Sequence, residues 1–175
     1  NYALTHGTPW NVPYEFLGSS LYNSFANFGG DGLILALIVA ILLTSNGSYM
    51  HRVARWTALP TLFNFNYATM IGLPVVFNPL FLIPFVFLPI VNILLASLAI
   101  TIHLIPSTPY PVLQGTPGPL ISFLGTNGNW GILIFTLVLL LIDIAAYIPF
   151  VKMALVVENR LTLAEQDVIS HEKND

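Results

Sequence analysis

From Phe63 to Pro84 the chain reads FNFNYATMIGLPVVFNPLFLIP, a run with no charged residue but with three Asn, three Pro and one Gly. Its apolar residues favour leaving water. Its Pro residues remove backbone donors, and its Gly loosens helical order. Broken backbone at membrane depth is tolerated only where protein buries it or a water-filled cavity borders it. The run lies beside long apolar stretches, so it reads as part of a pore or binding site rather than as a plain anchor.

Composition sets the solvent. The chain has 175 residues, 55% of them apolar and 7% charged, against about 25% charged in soluble domains. It reads as an integral membrane protein, with the lipid bilayer as its first partner. The net charge of -3 arises mostly in the C-terminal tail, which points away from nucleic acid. With no Cys, a disulfide, a thiolate nucleophile and a thiolate metal site are all excluded. His6, His51, His103 and His171 lack metal-ligand spacing, and no cofactor is expected. No basic segment precedes a short apolar core near Asn1, so no signal peptide is visible. The start reads as the interior of a longer protein.

About 20 apolar residues cross a bilayer as a helix. Three stretches approach that length: about 25–44, headed by Gly29, Gly30, Asp31 and Gly32; about 79–104, with Pro84 and Pro89; and about 130–151, with Asp143. The expected fold is an all-α polytopic membrane protein of about three transmembrane helices plus one or more re-entrant hairpins. Arg52 and Arg55 follow the first stretch, Lys152 and Arg160 follow the third, and 105–129 carries no charge. The positive-inside rule places both basic ends in the cytoplasm. Sidedness then requires 56–78 to begin and end on one face, as a re-entrant hairpin does, with Pro60, Gly72 and Pro74 breaking its helices. Residues 1–24 read as a second re-entrant piece or an external loop, and 105–129 as a packed external cap or short re-entrant element. The tail from Glu158 reads as a short cytoplasmic helix that frays after Ser170. Residues 1–152 form one substrate-binding part and 153–175 a cytoplasmic tail.

Asn64, Asn66 and Asn78 flank the hairpin. Amides donate and accept, which suits sugar hydroxyls without an ionic desolvation cost. They equally cap broken helices, and local sequence alone leans to capping. His6, before Gly7, reads as a hydrogen-bonding group for a polar substrate or as an interfacial loop anchor. Asp31 sits where an acid favours the positive end of a helix dipole. Asp143 reads as a structural partner of Lys152 or of a neighbouring helix. Asn92, one turn beyond Pro89, is placed to repair a kink. Tyr67, Tyr110, Tyr147, Trp10, Trp56 and Trp130 read mostly as interfacial belt residues. No phosphate loop, catalytic triad or metal cluster appears, so there is no self-contained catalytic site, and any phosphoryl donor lies on another polypeptide.

The residues resemble the membrane permease (IIC) component of the bacterial phosphoenolpyruvate:sugar phosphotransferase system (PTS), in its lactose/cellobiose/diacetylchitobiose family, over the C-terminal part. The family signature runs close to Phe-Asn-Ile-Asn-Glu-Pro, Gly-Leu-Pro-Ile-Val, Asn-Pro and Ile-Pro-Phe. Phe63, Asn64, Asn66, Gly72, Leu73, Pro74, Val76, Asn78, Pro79, Ile83, Pro84 and Phe85 match it. Thr116-Pro117 with Phe123-Leu124, Tyr147-Ile148-Pro149-Phe150, His6-Gly7 and the glycine cluster fall in family order. The resemblance implies re-entrant hairpins holding one disaccharide, an elevator-like shift, phosphorylation by a separate IIB protein supplied through IIA, and a homodimer at full length. It also implies a multi-pass location in the bacterial cytoplasmic membrane. His6, Asn64, Asn66, Tyr67 and Asn78 become the substrate-binding candidates, with no catalytic or metal residue. Tyr67 stands where the family carries a sugar-contacting Glu, and Ala68 where it carries Pro. A phenol is not a carboxylate base near neutral pH. The competing expectation is therefore a truncated or repurposed IIC-like subunit with a regulatory or scaffolding role and no coupled phosphorylation.

Overall fold

The computed structural model describes residues 5–10, 12–13, 16, 18–73 and 75–172; side chains are described for these except at 19 and 165–172. Among the described residues the regular structure is helical, with no strand. From Gly18 on, the described residues form these α-helices in order: α1 Gly18–Phe25, α2 Ile34–Thr44, α3 Tyr49–Leu62, α4 Tyr67–Gly72, α5 Pro79–Thr101, α6 Gly118–Leu124 and α7 Trp130–Glu172. Short 3-10 turns at Asp31–Leu33 and Val75–Phe77 precede α2 and α5. Pro74, expected as a breaker, lies outside the described residues, as does part of the mixed segment 1–24.

Among the described residues two helices, α5 and the apolar part of α7, are long and apolar enough to cross a membrane. At 1.5 Å per residue α5 extends roughly 35 Å, more than the hydrocarbon core of about 30 Å. Each buries one stripe and leaves apolar residues outside it. On α5 the buried stripe is Phe81, Pro84, Pro89, Asn92, Ala96 and Ala99, spaced by three or four residues except for the five between the two prolines. Leu82, Ile83, Val86, Phe87, Ile90, Leu94 and Leu98 are exposed around it. On α7 Ile132, Thr136, Leu139, Asp143, Tyr147 and Val151 are buried while Ile134, Leu137, Leu141 and Val156 are not. An exposed apolar flank on a long helix is what lipid contact requires.

The first apolar stretch differs from expectation. Its α-helix begins only at Ile34, and its 11 residues extend roughly 16 Å, short of the hydrocarbon core. The cause is local. Gly29, Gly30 and Gly32 hold φ of 78°, 91° and 72°, and Leu33 follows at 59°, so the chain turns left-handed before the helix starts. Residues Leu33–Ile38, Ala40 and Ile41 are buried, and α2 packs on α3 and α7 as the central rod.

A break at 63–66 separates α3 from α4, and α3 starts at Tyr49 rather than near Trp56. Ser48 sets that start by accepting a hydrogen bond from the His51 amide at 3.0 Å, an N-cap. A buried Thr61–Thr69 hydroxyl pair at 2.9 Å joins the hairpin arms. Helix α7 continues without a break past Lys152, so the tail is an extension of the third apolar rod rather than a separate short helix.

Candidate functional site

A cavity of about 590 Å³ opens where three irregular segments meet: the hairpin tip 64–67, the glycine turn 30–31 and the loop 108–115. Helix α1 supplies the fourth wall through Ser20, Asn23 and Ser24, with Asn27 just beyond its end. These four fall at i, i+3, i+4 and i+7, so they share one face. That polar spacing is legible in the sequence, but it straddles the mixed segment 1–24 and the head of the first apolar stretch, which hides it. The lining is largely neutral amide, hydroxyl and aromatic.

Asn64 holds the irregular segments together. Its backbone is left-handed, with φ 63°, which turns the chain at the hairpin tip. Its Oδ1 accepts from the amides of Gly29 at 2.8 Å and Gly30 at 3.2 Å. Its Nδ2 donates to the Thr116 carbonyl at 3.1 Å. A side-chain amide has two donor and two acceptor positions, so three of the four are used on backbone. Asn66 is different. It is 4% exposed, and its Nδ2 has no partner. Its amide lies flat on Gly30, where a Cβ would come within 2.4 Å of Asn66 Cγ. Asn27 Oδ1 is likewise buried without a partner. Tyr67 is 75% exposed at the cavity mouth.

Two buried polar ties hold this frame to the long helices. Tyr147 of α7 is fully buried and donates its hydroxyl proton to the Gly32 carbonyl at 2.6 Å. It is therefore an internal anchor rather than a belt residue. Asn92 Nδ2 donates both to the Phe25 carbonyl at 3.0 Å and to Asp143 Oδ2 at 2.8 Å. Its protons go to α1 and α7 rather than to a kink repair within α5. Asp143 thus bonds a neighbouring helix, the structural role expected of it. Asp31, on the cavity wall, accepts from the Tyr22 hydroxyl at 2.5 Å. Burial, and then Asp31 itself, push the Tyr22 phenol above its usual range, so it remains a neutral donor at physiological pH.

Comparison with known proteins gives the same direction. No protein-family model matches the chain. The cellobiose-specific EIIC component of the PTS of Lactococcus lactis subsp. lactis is 34% identical over 146 residues, which is 83% of this chain and 29% of that protein. The lactose-specific EIICB component of Staphylococcus aureus strain N315 is 34% identical over 126 residues, 71% of this chain and 22% of that protein. The crystal structure of the transporter ChbC, the IIC component of the N,N'-diacetylchitobiose-specific phosphotransferase system, superposes with a TM-score of 0.74 at 29% identity. The superposition covers 83% of this chain and 33% of ChbC. The chain belongs to the IIC family of the sugar phosphotransferase system. It spans about a third or less of these relatives' lengths.

Of the candidates carried from the IIC resemblance, Asn64, Asn66 and Tyr67 come together on the cavity wall. Asn78 does not line it. Its Oδ1 accepts from the Leu80 amide at 3.0 Å and caps α5. His6 is exposed, its Nδ1 lies 3.0 Å from Thr5 Oγ1, and it is not among the lining residues. Among the described residues no group of three or more His, Asp or Glu is gathered for a metal ion.

Proposed function

We propose that this IIC-family chain carries the sugar-binding part of a PTS permease, and that its cavity takes a disaccharide of the cellobiose, lactose or chitobiose class. The observation that carries the reading is a cavity within the ordinary ligand range of about 300–1,000 Å³, lined mostly by neutral hydrogen-bonding side chains, with Asp31 the one charged group among the described lining residues, at the break between apolar rods. Neutral amides exchange hydrogen bonds with a polyol without burying a charge. Phe65, Tyr67 and Tyr110 add aromatic faces beside them. Residues 1–152 form the binding part, and 153–175 project into the cytoplasm. The whole permease sits in the bacterial cytoplasmic membrane, dimerises through regions outside this chain, and passes its sugar to IIB, recharged by IIA. With Tyr67 in place of the family Glu, this chain has no carboxylate at that position. Binding here is then separable from phosphorylation.

Sugar-dependent thermal unfolding of the detergent-purified chain tests this. Ligand at about 100 times its Kd stabilises by about 2.7 kcal/mol, which for a chain of this size is a rise of roughly 5–10 °C. Cellobiose, lactose or N,N'-diacetylchitobiose at millimolar concentration is expected to give such a shift. An unmoved transition with all three refutes the reading.

A further inference from the structure

We propose that Asn27 is a ligand-binding residue of the cavity, acting as hydrogen-bond acceptor opposite the donor Asn66. The inference deepens the sugar-permease reading and rests on it. No resemblance pointed to Asn27; two observations do. Asn27 completes the polar stripe of Ser20, Asn23 and Ser24 that faces the cavity. Its Oδ1 is buried with no partner, while the Nδ2 of Asn66, on the same cavity, is buried with no partner either. The cavity lining thus holds an unmatched acceptor on the α1 side and an unmatched donor at the hairpin tip. Buried polar groups are nearly always paired, and an unpaired one marks a missing partner.

Other buried polar atoms also lack a partner, Asn92 Oδ1 and Asp143 Oδ1 among them, but neither residue lines the cavity. Asn64, which does line it, uses its amide on backbone. Asn66 is held down on Gly30, which keeps its Nδ2 out of bulk water. The amide torsion χ2 is broad and soft, so a small rotation turns either group toward a ligand. A hydroxyl both donates and accepts, so sugar hydroxyls match the pair: one gives its proton to Asn27 and one accepts from Asn66. A ligand with acceptors alone, such as a fully methylated sugar, leaves Asn27 unmatched.

Titration calorimetry of the full chain in detergent, with whichever of cellobiose, lactose and N,N'-diacetylchitobiose binds tightest, tests this. Asn27→Ala is expected to weaken binding roughly tenfold or more, with the unliganded melting temperature close to wild type. The isosteric variants Asn27→Asp and Asn66→Asp serve if the alanine variant does not fold. Aspartate keeps an acceptor at 27 but supplies no ionised donor at 66, so Asn66→Asp loses at least about threefold more affinity than Asn27→Asp. Undiminished affinity in Asn27→Ala, or equal losses in the two aspartate variants, overturns the role of Asn27 while leaving the permease reading standing. A wild-type chain that binds none of the three sugars overturns both.

Discussion

Asn64 offers the sharpest test of how the cavity is built, because its side chain and its backbone make separate contributions. Replacement by Gly keeps the left-handed φ of 63° without strain but deletes the bonds to Gly29, Gly30 and Thr116. Gly30 lines the cavity, where water can take over its amide, but Gly29 does not. A buried donor left unmatched costs about 1–3 kcal/mol, while an exchange with water costs nearer 0.5–1 kcal/mol. Asn64→Gly is therefore expected to lose about 2–4 kcal/mol. Asn64→Ala loses the same bonds and adds the left-handed penalty of roughly 1–2 kcal/mol, so it falls below the glycine variant. Asn64→Asp keeps both accepted bonds, loses only the donation to Thr116, and ranks above both. Thermal unfolding followed by size-exclusion fluorescence reads the order. At roughly 2–4 °C per kcal/mol, the Gly and Ala variants separate by several degrees. An alanine variant as stable as the glycine one, or an aspartate variant below both, would refute the assignment of Asn64 as the tie between the three segments.

Three further outcomes follow from the same geometry. Tyr147→Phe removes one buried bond to Gly32. Buried hydrogen bonds in membrane proteins average about 0.6 kcal/mol and reach about 1.7, so a fall of roughly 2–5 °C in the melting temperature is expected, and none would place the hydroxyl outside the framework. Gly30→Ala puts a Cβ within 2.4 Å of Asn66 at a φ of 91°, so sugar binding drops at least tenfold by the usual 1.4 kcal/mol scale; unchanged binding would show that Asn66 does not need its seat on Gly30. Tyr67→Glu, at the exposed cavity mouth, is expected to raise sugar phosphorylation by a matching IIB protein in reconstituted vesicles, and an unchanged rate would clear Tyr67 as the limiting difference.

The long rods were readable from apolar length, and α5 and α7 lie where hydropathy put them. The break between α3 and α4 was readable from the run's uncharged, broken composition, though the start of α3 was set by Ser48 capping His51, a signal the apolar pattern obscured. The shortening of the first rod was harder to see. Read from Phe25 to Thr44 the stretch approaches a full span, and only the backbone angles of the glycine cluster show where helix begins. Beyond Lys152 the residues turn polar while the helix of α7 continues, so the tail helix has no start signal of its own to read from the sequence.

The site was partly legible for a related reason. Residue type showed that Asn64, Asn66 and Tyr67 stand at a break, and the cavity gathers them. It did not show which amide faces backbone and which is left unmatched, since that depends on contacts between 29–30, 64–66 and 116 that are distant in sequence. Tyr147 had the composition of a belt residue and proved to be a buried tie, because its partner Gly32 lies far away along the chain. Asn78 was chosen for its place in the motif and serves as a helix cap.

The most direct measurement is the structure of the chain with the tightest-binding of the three disaccharides. Density for one sugar between the α1 stripe, the hairpin tip and the loop 108–115, within about 3.2 Å of Asn27 or Asn66 side-chain atoms, is the predicted result. Sugar density elsewhere, with both amides still unmatched, would contradict it.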